Sequence, residues 1–547
     1  MESVSIVLFL LLAVVVSGAV ARMLPFGIPT PLVQIMLGGA IGMFTSHRVE
    51  LNPELFLFLF LPPLLFLDGW RIPKDELFKD LSTVVELALG LVLLTVVGMG
   101  FLINWMIPAM PLAVAFALAA VVSPTDPIAV SAIAARVPIP KRMMHILEGE
   151  SLLNDASGLV CLRFAVAAAL TGTFSAGAAA LDFLWVAGAG LAIGVGVTLA
   201  ATRAKAWVSG RWGEDTGSQI LVSLLIPFGS YLLAEHVHAS GILAAVSAGV
   251  TMAYAEISRQ ALAATRMRRN SVWDMIQFTL NGIIFVLLGE QIPGIVESAD
   301  RTVAATGHTQ PWWLAVYVLA IVAGLAILRF LWVWASLKLT ILRKGRQVVG
   351  VQTPDFRLIA ATSVAGVRGA ITLAGVLTLP LTLSDGTPFP ARDLAIFLAA
   401  GVIVVSLVLA SVLLPLLLKG LAMPPEPARQ AEEDAARIAA AEAAIRAIER
   451  HQHELAESHG EADIFAEAGG QVMDLYRERI DGLSDRNPGE VRASDRLLRD
   501  FRLVGLRAER ATLEQLVRGR SVSSDLARKL TRELDLSEAR FGSSGHA

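Results

Sequence analysis

Between Glu148 and Cys161 the chain reads Glu-Gly-Glu-Ser-Leu-Leu-Asn-Asp-Ala-Ser-Gly-Leu-Val-Cys. Three acids thus fall inside a stretch otherwise apolar enough to cross a membrane. A carboxylate at bilayer depth costs several kcal/mol, so it persists where it is paired or has a function. Ser151 and Asp155 are four apart, and Ser151 and Asn154 three apart, so all three share one helix face. Glu150 lies beside that face, one turn nearer the cytoplasm. Two hydroxyl or amide oxygens beside one carboxylate suit a small hard cation or a proton.

A second cluster, Ser123-Pro124-Thr125-Asp126-Pro127, lies between apolar flanks. Each proline removes a backbone donor and clashes with the preceding turn, so the spacing predicts an unwound helix. Unwound backbone at membrane depth lines a cavity or is covered by protein. Freed carbonyls, the Thr125 hydroxyl and the Asp126 carboxylate add further hard oxygen ligands.

The third cluster is Ala365-Gly366-Val367-Arg368-Gly369-Ala370-Ile371-Thr372. A buried guanidinium keeps its charge and needs a carboxylate. Glu150 is the expected partner of Arg368, with Glu148 second, and such a pair is structural. Arg163, two turns beyond Asp155, lies toward the outer mouth or pairs with an acid. Glu86, Glu235, Glu290 and Arg329 are read as near span ends, where long side chains snorkel. Asp68, after Leu61-Pro62-Pro63, is placed to line an entrance.

The elements that must hold these groups are membrane helices. The chain has 547 residues, 55% hydrophobic and 17% charged, with mean hydropathy +0.63. Apolar blocks of membrane-crossing length run from Ser5 to Leu421. They predict thirteen spans, at about 4–21, 30–45, 51–68, 83–107, 111–135, 146–170, 182–204, 218–237, 240–256, 272–293, 312–340, 356–381 and 393–420. Ala19-Val20-Ala21 resembles a signal-peptidase site, but no basic residue precedes it, so the first block is expected to remain as a membrane helix. Loops after odd-numbered spans carry seventeen lysines and arginines and those after even spans three. The positive-inside rule then puts the N-terminus outside and the C-terminal tail in the cytoplasm. The tail, 424–547, is rich in Glu, Arg and Ala. Charges spaced at three and four predict helices over about 432–455 and 492–534, the latter broken near 519–524. The single cysteine, Cys161, excludes an internal disulfide and a multi-cysteine metal site. There is no phosphate-binding glycine-lysine loop for a primary pump, and nothing points to nucleic acid.

Taken in order, Leu61-Pro62-Pro63, Ser123 to Pro127, Glu150 with Asn154-Asp155, and Val367-Arg368-Gly369 resemble the monovalent cation:proton antiporter-1 family, the sodium/proton exchangers, across most of 51–420. The resemblance implies an all-α polytopic inverted-repeat fold with two broken crossing helices. It implies an antiporter domain over 1–423, with a moving core at about 83–170 and 312–420 and a dimer scaffold at about 4–68 and 182–293. It implies a homodimer in the plasma membrane, embedded in lipid, with no cofactor beyond the transported sodium ion and proton. By position, Asp155 resembles the ion- and proton-binding carboxylate and Asn154 its neutral neighbour. Thr125, Asp126 and Ser151 resemble site ligands, and Glu150 with Arg368 the structural ion pair.

The expected activity is secondary antiport of a monovalent cation, sodium first and lithium or potassium next, against protons. Burial disfavours the charged carboxylate, so protons compete with the cation at Asp155. Asn rather than Asp at 154 leaves one titrating charge and implies one cation per proton. Two other classes compete. One is a passive cation channel. The other is an intramembrane aspartyl protease using Asp126 and Asp155, although Asp155 lacks the Gly-x-Gly-Asp setting of such enzymes.

Overall fold

The computed structural model describes residues 2–24, 28–44, 53–72, 86–127, 130–131, 141–171, 176–257, 263–297, 303, 310–343, 356–383, 386–419, 427–459, 462–484, 488–518 and 524–542. The chain divides into two compact units, Met1–Leu421 and Ala422–Ala547. Nearly all described structure is helical. A lone β-bridge joins Thr382 and Pro388.

In the first unit the helices are α1 (Glu2–Met23), α2 (Thr30–Phe44), α3 (Pro53–Arg71), α4 (Glu86–Met106, opening with a π-helical turn over Glu86–Leu91), α5 (Leu112–Val122) and α6 (Lys141–Thr171). They continue with α7 (Ala176–Trp212), α8 (Thr216–His236), α9 (Gly241–Ile257), α10 (Ala263–Glu297), α11 (Trp312–Arg343), α12 (Phe356–Val364), α13 (Ala370–Leu377) and α14 (Arg392–Leu418). Among the described residues, eight helices are long and apolar enough to cross a membrane: α1, α4, α6, α7, α8, α10, α11 and α14. Three shorter apolar helices lie at Thr30–Phe44, Leu112–Val122 and Gly241–Ala255. Several helices overrun their predicted spans. The expected span 182–204 is a helix over Ala176–Trp212 and 272–293 one over Ala263–Glu297, because their polar flanking turns still close backbone hydrogen bonds.

Two predicted spans are interrupted, both where the sequence breaks helix geometry. α5 stops at Val122, residues 123–126 are non-helical, and helix resumes at Pro127. Pro124 and Pro127 account for this directly. The stretch 356–381 splits into α12 and α13 around Gly366 and Gly369.

Helix pairs approach through small residues, as expected where the lipid supplies no hydrophobic drive between helices. A Cβ on Gly38 would strike the Val286 carbonyl, and one on Gly289 the Ile35 carbonyl, so α2 and α10 touch backbone to backbone. α2 pairs with α10, and α9 packs on α3, α7 and α8. Separately, α5 packs on α4 and α6, and α14 on α11, α12 and α13. α13 also reaches α3 and α10, so the interrupted helices face the other group.

The second unit holds α15 (Pro427–His459), α16 (Ala462–Ser484), α17 (Pro488–Arg518) and α18 (Ser524–Gly542). α16 is a helix beyond those read in the tail's sequence. α15 packs on α16 and α17 on α18. Arg510 ties the latter pair by bonding Asp535 and Glu538, each at 2.5 Å.

Candidate cation and proton site

Interrupting a helix leaves its last carbonyls and the next helix's first amides without intrahelical partners. Here the two interruptions cross and satisfy each other. The Asp126 N–H donates to the Val367 carbonyl at 2.7 Å. The Ala370 N–H, first of α13, donates to Asp126 Oδ2 at 3.3 Å, which puts a carboxylate at the positive end of that helix. The Arg368 Nε donates to the Val122 carbonyl at 2.9 Å, the last of α5, and its Nη1 donates to the Gly366 carbonyl. The Arg368 N–H donates to Ser406 Oγ of α14 at 3.2 Å. Gly369 is required sterically, because a Cβ there would land on the Asp126 carboxylate. Gly158 likewise lets α6 close against Pro124.

α6 passes beside this crossing and carries the predicted acids. The expected Glu150–Arg368 pair does not form. Glu150, 1% exposed, pairs instead with Arg329 of α11, 2% exposed. The contact is bidentate, with Nη1 to Oε1 at 2.5 Å and Nη2 to Oε2 at 2.6 Å. Arg329 Nε also donates to the Thr362 carbonyl at 3.0 Å. The physical reason is that broken backbone already supplies acceptors to Arg368. Arg329 emerges from an unbroken helix whose carbonyls are used, so it needs the carboxylate. The snorkelling expectation for Arg329 therefore fails, and Glu290 of α10 is likewise buried.

The predicted ligands separate by position. Thr125, Asp126, Ser151 and Asp155 line one cavity, of about 410 Å³ including its open mouth. Asn154 is not on its wall. It stands behind Thr125, donating from Nδ2 to Thr125 Oγ1 at 2.9 Å, while Thr125 Oγ1 donates to Glu150 Oε1 at 3.3 Å. Asn154, Thr125, Glu150 and Arg329 thus form one chain that fixes the Thr125 hydroxyl.

Other helices supply three further polar side chains to the cavity wall: Asp68 of α3, Asn281 of α10 and Thr372 of α13. Asp68, expected to line an entrance, is on the cavity wall. Asn281 carries no comparable sequence signal, because one uncharged polar side chain in an apolar run points to no particular chemistry. Asp155 is 4% exposed and makes no hydrogen bond or ion pair among the described residues. Asp126 is engaged by the α13 amide and Glu150 by Arg329, so Asp155 is the α6 carboxylate left facing the cavity. No group of three or more acid, histidine or cysteine side chains among the described residues is close enough to cage a metal. Two turns beyond Asp155, Arg163 of α6 bonds Glu235 of α8 at 2.7 Å, and Glu235 also accepts the Gly241 N–H at 3.2 Å.

A polytopic helical unit in which two interrupted helices cross beside a carboxylate-lined cavity defines a secondary transporter built from repeats. The profile described as "Sodium/hydrogen exchanger, transmembrane" matches residues 8–420. The chain is 45% identical to the uncharacterized Na(+)/H(+) exchanger YjcE of Escherichia coli (strain K12), over 98% of this chain and 99% of that one. It is also 45% identical to a sodium, potassium, lithium and rubidium/H(+) antiporter of Bacillus pumilus, over 76% of this chain and 61% of the relative. The fold matches the sodium proton antiporter MjNhaP1 of Methanocaldococcus jannaschii at pH 8, with TM-score 0.60 and 21% identity over 77% of this chain and 99% of that one. The chain belongs to the sodium/hydrogen exchanger family and is a multi-pass membrane protein.

Proposed function

We propose that the chain exchanges a monovalent cation for protons across the plasma membrane, with Asp155 as the shared site. Sodium is the first candidate, with lithium and potassium next. The observation that carries this reading is the difference among the buried acids. Glu150 is neutralised by Arg329 and Asp126 holds the α13 amide, while Asp155 faces the cavity beside the Ser151 and Thr125 hydroxyls. A carboxylate with neutral oxygens beside it offers hard ligands to a monovalent cation and takes up a proton in its place, and Asp68 lines the same cavity. The wider cation range named for the Bacillus pumilus relative supports including lithium and potassium.

Asp155 binds either the cation or a proton. Each loaded form is neutral, whereas the empty carboxylate is charged and faces the cost of a bare acid in an apolar barrier. Obligatory exchange follows, at one cation per proton, because Asn154 adds no second titrating charge. The moving core comprises α4–α6 and α11–α14, and the dimer scaffold α1–α3 and α7–α10. This division is supported by the separate packing of the two groups. The antiporter domain spans 1–423, with the N-terminus outside and the 424–547 tail cytoplasmic. No cofactor takes part.

The test uses sealed inverted vesicles with the membrane potential clamped. An imposed sodium gradient is expected to move protons uphill, read as dequenching of a pH dye. A channel would leave proton distribution unchanged, and that result would reject the proposal.

A further inference from the structure

We propose that Asn281 is a ligand of the transported cation, contributed from the far side of the cavity, and that it helps set which cation is carried. The inference rests on the antiport reading above and extends its ligand set. Asn281 lies in the middle of α10, in the helix group that the crossing faces through α13. It is 8% exposed and lines the same cavity as Asp155, Ser151 and Thr125. Its carboxamide oxygen is buried without a donor, and its side chain makes no hydrogen bond among the described residues.

A buried amide with nothing to bond is costly and uncommon, and it calls for a partner. The chemistry limits what that partner is. A carboxamide oxygen is a hard, neutral ligand of the kind that replaces water around a cation. Being neutral, it adds coordination without adding charge to a wall that already carries Asp68, Asp126 and Asp155. The neighbour Gly282 packs against Val14 and Gln34, which pins this turn of α10 and fixes where the amide points.

Placement on α10 has a mechanistic consequence. Asp155, Ser151 and Thr125 belong to the group proposed to move, and Asn281 to the group proposed to stay. A ligand from the static side is engaged in one orientation of the core and withdrawn in the other. A ligand shifts an equilibrium only by its differential affinity for the two states. Asn281 therefore strengthens capture on one face and lets the ion leave on the other. Its loss changes apparent cation affinity and discrimination more than maximal turnover.

The experiment uses the full-length protein in proteoliposomes. Initial exchange rates are measured against NaCl, LiCl and KCl at fixed pH, for wild type, Asn281→Ala, Asn281→Ser and Asn281→Asp. Asn281→Ala is expected to raise the sodium KM by about five- to tenfold, which is about 1–1.4 kcal/mol. Vmax should stay within about twofold, the lithium-to-sodium preference should shift, and Asn281→Ser, which keeps an oxygen, should recover part of the affinity. Asn281→Asp is expected to lower KM and slow turnover, because the extra charge holds the ion. An unchanged KM and unchanged preference in Asn281→Ala would overturn the proposal. If Asn281→Ala fails to give a monodisperse protein, Asn281→Asp decides alone, and an unchanged KM there is equally fatal. If wild type exchanges none of the three salts, the antiport reading itself has failed. Thermal protection by NaCl in detergent then tests the ligand role separately, and equal protection of wild type and Asn281→Asp would reject it.

Discussion

Replacing Glu150 with Gln isolates the buried pair on which the site is built. The carboxylate accepts both terminal nitrogens of Arg329, at 2.5 and 2.6 Å, and the Thr125 hydroxyl at 3.3 Å. A glutamine keeps the shape, yet one of its terminal groups is an amide donor facing the guanidinium. Arg329 would remain charged, 2% exposed, and would keep its bond to the Thr362 carbonyl. Breaking one side of such a pair costs about 3–5 kcal/mol. On the scaling for globular proteins of about 2.1 cal/mol/K per residue, a unit of this size loses about 3–6 °C in Tm. Membrane helices retain structure on unfolding, so the entropy is smaller and the drop larger than that. The assay is thermal unfolding of purified protein in detergent, as a double-mutant cycle. Glu150→Leu with Arg329→Met should recover at least half of the loss, since an apolar replacement of both ions is often close to neutral. Glu150→Leu with Arg368→Met should recover none, because Arg368 holds backbone carbonyls. A larger coupling to 368 than to 329, or a Glu150→Gln protein as stable as wild type, would refute the reasoning.

Two further outcomes follow from local geometry. Gly369→Ala places a Cβ on the Asp126 carboxylate. It should open the crossing, abolishing exchange in vesicles and lowering Tm, whereas Gly210→Ala, with open space around its Cβ position, should do neither. Asp215 caps α8 by accepting the Ser218 N–H at 2.8 Å, and hydrogen bonding from the Ser218 hydroxyl, with that N–H, holds its carboxyl below the ordinary value. A depressed folded pKa stabilises above the unfolded pKa of about 4 and fades as pH falls through the folded one. Asp215→Ala should thus lower Tm at pH 7, and the difference should shrink as pH falls below about 4. A pH-independent difference would show that the charge is not involved.

Much of the site was legible because its sequence breaks rules openly. Two prolines three apart announce an interrupted helix, and an acid inside an apolar run announces a function. Helix spacing grouped Asp155 with Ser151, proline chemistry marked Thr125 and Asp126, and the family resemblance joined the two clusters in one site. The partner of Glu150 was not, because periodicity within one helix carries no information about which distant cation meets it. Arg329 did carry a signal. It sits well inside the 312–340 apolar stretch, about three turns from the inner end, too deep for easy snorkelling. Arg368 misled in the opposite direction. The interruption around it supplies free carbonyls, so a buried arginine there does not need an acid. Asn154 belonged to the right helix face but one shell behind, since three- and four-residue spacing cannot tell a cavity wall from the support behind it. Asn281 had no sequence signal beyond being polar in an apolar run, and only the fold brings it to the cavity that Asp155 lines.

The central claim is that Asp155 carries either the cation or the proton. The direct measurement is pH-gradient-driven uptake of radiolabelled sodium into proteoliposomes containing purified Asp155→Asn protein. Its folding is verified by a monodisperse elution profile and a Tm near that of wild type. The account predicts no uptake above protein-free liposomes, while wild type accumulates sodium against its gradient. Proton-coupled uptake surviving in Asp155→Asn would contradict it.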